Sequence, residues 1–415
     1  MKQRSLLQNA FWMLGGLGAR SLVQFVYFIL IARALGSHGY GAFIAASALI
    51  NVAAPFSTWG SGNILVKYVA RNRDQFSTYW GSAIATTLLS AGVLIVLVTA
   101  ASHLALPPTT PILLVLLVAV SDLLFARFLD LAGQAFQAVE RLERTAAMQL
   151  LLSLSRLGGA ALLFTIPFPK TALTWAGLYL ASTAISALIA LAWVWRDVGW
   201  GPLDPRPTLR EYREGGAFAV SLSAQTIYND IDKTMLARLV SSDAAGIYAA
   251  AYRIIDVAFT PVRSLLYAAY AKFFQTGEGG IRDSAAFAIK LIPWGVVYGL
   301  VAATVLYAVA PLLPLLFGSN FTETVDVVRW LSPLVLLKTL YYFAADTLTG
   351  AGRQSVRAAV QVGVAVLNIL LNLWLLPSYG YVGAIWSSLA SDFILMLTLW
   401  AIVVKSNRKL KHVTV

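Results

Sequence analysis

The feature that most constrains this chain is the recurrence of apolar runs long enough to cross a bilayer. A spanning helix needs about 20 mostly apolar residues to cover a hydrocarbon core of roughly 30 Å. Twelve such stretches follow one another, near residues 9–33, 40–62, 79–102, 111–134, 146–166, 171–195, 215–239, 246–270, 285–309, 324–348, 358–376 and 381–404. The first is too long for the core of a cleavable signal and runs on into "FILIARALG", so a retained span is expected. The expected fold class is an all-α polytopic membrane protein of about twelve transmembrane helices in two six-helix lobes related by an internal repeat.

Composition agrees. Of 415 residues 59% are apolar and only 12% are charged, against roughly a quarter charged in soluble domains. That excludes an ordinary soluble enzyme. There is no cysteine, hence no disulfide framework and no thiolate metal site or nucleophile. The three histidines, His38, His103 and His412, fall in loops or the tail. The chain lacks G-x-x-x-x-G-K-[ST], H-E-x-x-H and G-x-S-x-G. No enzyme activity, metal or organic cofactor is expected.

The formal charge of +12 is better explained by membrane orientation than by nucleic acid, which is not an expected partner. With the N-terminus in the cytoplasm, the inner loops and tail collect Lys67, Arg71, Arg73, Arg141, Arg144, Arg196, Arg206, Arg210, Arg213, Arg353, Arg357, Lys405 and others. The opposite side holds Arg33, Lys170 and Arg238. The positive-inside rule then places both termini in the cytoplasm, and the plasma (inner) membrane is the expected location. The outer loops are short, as in "ALPPTTP", which speaks against an outward-facing catalytic domain.

The stretch "RDVGWGPLDPRPTLREYREGG" is rich in Pro, Gly and charge and reads as a linker. It divides an N-terminal lobe, 1–200, from a C-terminal lobe, 215–415, with 201–214 as cytoplasmic linker. Two echoes link the halves. "ARALGSHGYGAFIAAS" from Ala32 matches "ARLVSSDAAGIYAAAY" from Ala237, aligning Gly41 with Gly246, and Arg141-to-Gln149 matches Arg353-to-Gln361 at a slightly different offset. Together they indicate duplication of a six-helix unit, with the substrate site expected between parallel lobes.

Ionisable residues at bilayer depth cost on the order of 2.5–3.5 kcal/mol each on insertion scales, and so face a bundle interior or an aqueous cavity. Here they fall in rows three, four or seven apart, the spacing of one helix face. Examples are Arg20, Gln24 and Tyr27; Ser47, Asn51 and Thr58; Arg127, Asp130, Gln134 and Gln137; Gln149, Ser153 and Arg156; Arg253, Asp256, Thr260 and Arg263. Some of these are also placed to pair locally, as Arg127 with Asp130 and Arg253 with Asp256. The cavity residues expected to bind substrate are Arg20, Gln24, Asn51, Arg127, Arg156, Lys233, Arg253 and Lys338, the cations being natural partners for phosphate oxygens. Asp232 and Asp256 are candidates for carrying a coupling H+ or Na+. The "DID" of Asp230 and Asp232 resembles a glycosyltransferase metal pair only superficially, because residues two apart point to different helix faces.

With "LLQNAFWMLGGLGARSLVQFVYFILIARALGSHGYGAF", "WGSGNILVKYVAR", "YNDIDKTMLARLVSSDAAGIYAAAYRI" and the late "YGYVGAIWSS" in view, the sequence resembles the polysaccharide transport branch of the multidrug, oligosaccharidyl-lipid and polysaccharide exporter superfamily, where O-antigen-type flippases belong. The resemblance implies alternating access by two lobes that carry a polyprenyl-pyrophosphate-linked oligosaccharide from the cytoplasmic to the outer leaflet for O-antigen, capsule or exopolysaccharide synthesis. It also implies a lipid tail left in the bilayer and other polysaccharide-assembly proteins as partners. A multidrug or small-molecule antiporter of the same superfamily is the nearest alternative. A polyprenyl glycosyltransferase or O-antigen polymerase is the alternative of a different class.

Overall fold

The computed structural model describes residues 6–165, 167 and 169–411, with the backbone alone for 6–21 and for scattered positions that include 149 and 225. The helices are α1 (Leu6–Thr58), α2 (Ser61–Arg71), α3 (Phe76–Ala105), α4 (Ile112–Ala119), α5 (Ala126–Ala138), α6 (Leu142–Thr165), α7 (Ala172–Asp197), α8 (Arg206–Arg210), α9 (Tyr212–Leu239), α10 (Ser242–Gly277), α11 (Ile281–Val309), α12 (Leu313–Phe317), α13 (Thr324–Leu331), α14 (Leu334–Gly350) and α15 (Gln354–Lys411). No strand occurs among the described residues.

Each of the twelve apolar runs coincides with helix. Seven helical stretches among the described residues are long and apolar enough to cross a membrane. Two of them contain a break at a glycine with positive φ, Gly36 (φ 67°) in α1 and Gly380 (φ 56°) in α15, so each supplies two helices. Only glycine takes that conformation without steric cost, which is why the chain breaks there. The other three runs are α9 and α10, whose charged residues make them less apolar, and α13 with α14, separated by a turn at Ser332 and Pro333. Rows of bare apolar side chains, such as Leu89, Val93, Val96 and Leu97 on α3 and Trp294, Val297, Val301 and Val305 on α11, form surfaces that a water-soluble protein would bury. The chain is an all-α polytopic membrane protein.

Two compact units emerge, Val26–Gly246 and one that joins the residues up to Phe25 to those from Ile247 onward. In the first, Trp80, Leu129, Ala132, Phe136, Met148 and Val194 are among the side chains that close a core around α2, α3, α5, α6 and α7. The Pro- and Gly-rich segment before α9 is docked on the start of α3. A Cβ on Gly81 would lie 2.0 Å from the Pro202 carbonyl oxygen, and one on Gly201 would lie 1.7 Å from that of Ser77. Thr208 N donates to Ser82 Oγ at 3.0 Å, and Trp200 meets Trp80 edge-on.

Both echoes have structural counterparts. The α5–α6 and α14–α15 junctions are the same Schellman turn. Arg141 N donates to Phe136 O and Arg353 N to Leu348 O, each at 2.8 Å, while Glu140 N reaches Gln137 O and Gly352 N reaches Thr349 O. The left-handed position is Glu140 (φ 64°) in one copy and Gly352 (φ 73°) in the other. The arginine that follows reaches the end of a later helix in both copies, Arg141 to Asp197 at 3.4 Å and Arg353 to Ser406 at 2.6 Å.

Candidate functional site

Among the described residues, polar rows of the spans form ion clusters and line a cavity. In Val26–Gly246, a single π-helical turn, Val120–Phe125, interrupts the fourth span and places Asp122 in the interior with 4% of its surface exposed. Such turns add a residue to the helix and recur at functional sites. Asp122 accepts from Arg156 Nη2 at 3.1 Å and from the Tyr179 hydroxyl at 2.9 Å. The Arg156 guanidinium stacks 4.2 Å from the Tyr179 ring centroid and donates to Thr183 Oγ1 at 3.4 Å. Its Nε is buried without a hydrogen-bond partner among the described residues.

One turn beyond Asp122, Arg127 pairs with Asp130 at 3.0 Å and donates from Nε to the Asp122 carbonyl at 3.2 Å. Arg127, Asp130, Gln134 and Gln137, one row on α5, together line a cavity of about 350 Å³ that Thr58 and Asn63 also border. On α9, Lys233 is buried and reaches Asp230 at 2.7 Å, Asp232 at 3.5 Å and the Asn229 carbonyl at 2.8 Å. Both acids of the "DID" thus share one ammonium group, an arrangement that serves charge neutralisation. Asn51 is half-buried on α1.

In the other unit, Lys338 is 6% exposed and lies 3.7 Å from Asp256 and 4.4 Å from the Tyr252 ring centroid. Asp256 also meets Arg263 at 3.9 Å. Gln24 and Arg253 are half-buried; the side chain of Arg20 lies outside the described residues. Arg357, which the sequence assigns to a loop, begins α15 and turns back to Asp346 at 3.1 Å and Thr349 at 2.8 Å. Asn368 and Asn372 bond each other at 2.9 Å, and Asn368 donates to Ser391 at 3.1 Å, so these amides tie the two halves of α15 together.

Arg127, Arg156, Lys233 and Lys338 therefore each have a carboxylate within 4 Å. Pairing of this kind is what allows charges at bilayer depth. No group of three or more His, Asp or Glu side chains placed to hold a metal ion occurs among the described residues.

Ion pairs set within long apolar helices belong to a polytopic membrane fold, and comparison with solved structures agrees on the fold. An inward-facing multidrug resistance MATE family transporter of the MOP superfamily matches with TM-score 0.76 and 13% identity over 94% of this chain and 96% of its own. The lipid II flippase MurJ in an inward closed conformation matches with TM-score 0.72 and 11% identity over 95% and 87%. A MOP superfamily transporter from Pyrococcus furiosus matches with TM-score 0.63 and 14% identity over 96% and 95%. No curated protein matches by sequence. The profile of the polysaccharide biosynthesis protein family matches residues 6–270. The chain belongs to that family.

Proposed function

We propose that this protein is a flippase that moves a polyprenyl-pyrophosphate-linked oligosaccharide from the cytoplasmic to the outer leaflet of the plasma membrane by alternating access, with both termini in the cytoplasm. The product would feed O-antigen, capsule or exopolysaccharide assembly. The observation that carries this reading is Arg156, a half-buried arginine in the spans of a polysaccharide biosynthesis family member, whose Nε is buried and left unpartnered among the described residues. An unmet buried donor costs about 1–3 kcal/mol, a cost that is recovered when a phosphate oxygen takes it.

The carboxylates are placeholders in this mechanism. A diphosphate arriving at Arg156 or Lys338 replaces Asp122 or Asp256 as the counter-charge, and the displaced Asp256 takes up a proton that it gives up again when the head group leaves and the pair re-forms. The Lys338–Asp256 contact, at 3.7 Å, is the longest of the four pairs and the easiest to exchange. Arg127, Lys233 and Asn51 of one unit, and Arg20, Gln24 and Arg253 of the other, are the further candidate contacts of the head group, and Asp232 and Asp256 are the candidate coupling acids. The polyprenyl chain stays in lipid, since hydrocarbon gains nothing by entering a polar site.

The test is deletion of the gene followed by mass spectrometry of the lipid-linked glycans. A complete oligosaccharide trapped on the cytoplasmic leaflet, with loss of surface glycan and no rescue by well-folded Arg156→Ala, is the expected result. Accumulation of an incomplete glycan would point to an assembly enzyme instead, and an unchanged glycan pool would reject the reading.

A further inference from the structure

We infer that the cavity lined by α5 in the unit Val26–Gly246 is a subsite for the sugar rings of the head group and not for its pyrophosphate; this rests on the flippase reading above. The first argument is charge. Among the described residues the cation lining the cavity is Arg127, which is matched by Asp130 at 3.0 Å and whose Nε is committed to the Asp122 carbonyl at 3.2 Å. The other polar side chains described there are Gln134, Gln137, Asn63, Thr58 and Thr145, neutral groups that both donate and accept. A diphosphate asks for donors alone and would be repelled by Asp130. A polyhydroxylated ring supplies both donors and acceptors.

The second argument is shape. Leu129, Met148, Leu222 and Pro55 form an apolar side to the same cavity, suited to the C–H face of a pyranose. A volume of about 350 Å³ lies at the small end of the roughly 300–1,000 Å³ usual for small-molecule sites, which fits one or two rings and excludes a long glycan.

The third argument is preorganisation. Gly62 on α2 leaves room for the Gln134 amide, whose Oε1 sits 1.5 Å from where a Cβ on that glycine would be. At the rim, Trp59 (φ 47°) and Gly60 (φ 68°) are both left-handed, and a Cβ on Gly60 would stand 2.7 Å from the Gly215 Cα. Left-handed backbone at a non-glycine costs of order 1–3 kcal/mol and persists where surrounding contacts impose it. The Trp59 indole N–H donates to the Tyr212 carbonyl at 3.0 Å, which holds this turn against the start of α9. The cavity sits where α1 and α5 end and α2, α6 and α9 begin, chain ends that also carry Arg141, Arg144 and Arg210. By the positive-inside rule that is the cytoplasmic side, from which a glycan is loaded.

The experiment compares binding of two purified lipids to the full-length protein in nanodiscs: the lipid-linked oligosaccharide recovered from the deletion strain, and polyprenyl pyrophosphate without sugar. Wild type is expected to prefer the glycosylated lipid by about tenfold or more, as the loss of one or two hydrogen bonds in a dry site would suggest. Gln134→Leu, and independently Gln137→Leu, should erase that preference while leaving affinity for the bare lipid intact. Gly62→Ala should do the same by displacing the Gln134 amide. Variants that weaken both lipids alike, or neither, would overturn the subsite and leave the flippase reading standing. Failure of the wild type to bind either lipid would overturn both.

Discussion

Gly41 and Gly246 hold each other's turns at backbone contact. A Cβ on Gly41 would lie 1.7 Å from the Ser242 carbonyl oxygen, and a Cβ on Gly246 would lie 2.2 Å from that of Ser37. Ser37 corresponds to Ser242 in the sequence echo as Gly41 does to Gly246, so equivalent residues of two repeated turns meet reciprocally. Asp243 fastens the contact, accepting from Ser37 Oγ at 2.5 Å and lying 3.1 Å from His38 Nδ1.

Gly41→Ala and Gly246→Ala should each destabilise the protein by about 1–3 kcal/mol, because a methyl group has to displace backbone and not a mobile side chain. Thermal unfolding in detergent measures this. Gly92→Ala, where nothing lies within 4 Å of the added carbon, is the control and should be neutral or slightly stabilising.

Glu140 occupies the left-handed position of a Schellman turn that its repeat counterpart fills with Gly352. Glu140→Gly is therefore expected to stabilise by about 1 kcal/mol, and Gly352→Ala to destabilise by a similar amount. Opposite shifts in melting temperature for the two variants are the signature.

The Asp122–Arg156 pair predicts a strongly non-additive cycle. Asp122→Leu or Arg156→Leu alone leaves an unmatched charge in the interior and should cost about 3–5 kcal/mol. The double variant should recover much of that stability while remaining inactive in glycan export, since the guanidinium is gone. Stabilities of the four proteins in one detergent, with complementation scored alongside, complete the cycle.

Much of this arrangement was legible in the sequence because helical spacing is a strict ruler. Arg127, Asp130, Gln134 and Gln137 share one face by number alone, and they line one cavity. The Arg127–Asp130 pair is local and followed from the same spacing. Gly41 and Gly246 were visible as an echo, but their mutual contact joins positions some 205 residues apart, as for His38 and Asp243, and no local rule reaches that far. The π-helical turn at Asp122 has no residue signature, and without it Arg156 cannot be assigned a partner. Arg357 looks like a loop cation because it sits at a helix start; its long stem carries the charge back to buried Asp346. Glu140 is hidden because left-handed turns are read from glycine.

Lys338 offers a direct test of the exchange mechanism. Lys338→Gln keeps a polar group but loses the charge beside Asp256, and should weaken binding of polyprenyl pyrophosphate by about tenfold, or roughly 1.4 kcal/mol. Lys338→Arg should retain binding. Equal affinities for wild type and Lys338→Gln would remove this lysine from the pathway.

The most direct measurement of the central claim is translocation by the purified protein in liposomes. Vesicles are made with the lipid-linked oligosaccharide in both leaflets, and a glycan-modifying enzyme is added outside. Wild-type protein should carry modification beyond the outer-leaflet pool until the inner pool is consumed, while Arg156→Ala vesicles stop at the outer pool. Modification that halts at the outer-leaflet pool with wild-type protein, as in protein-free vesicles, would contradict the account.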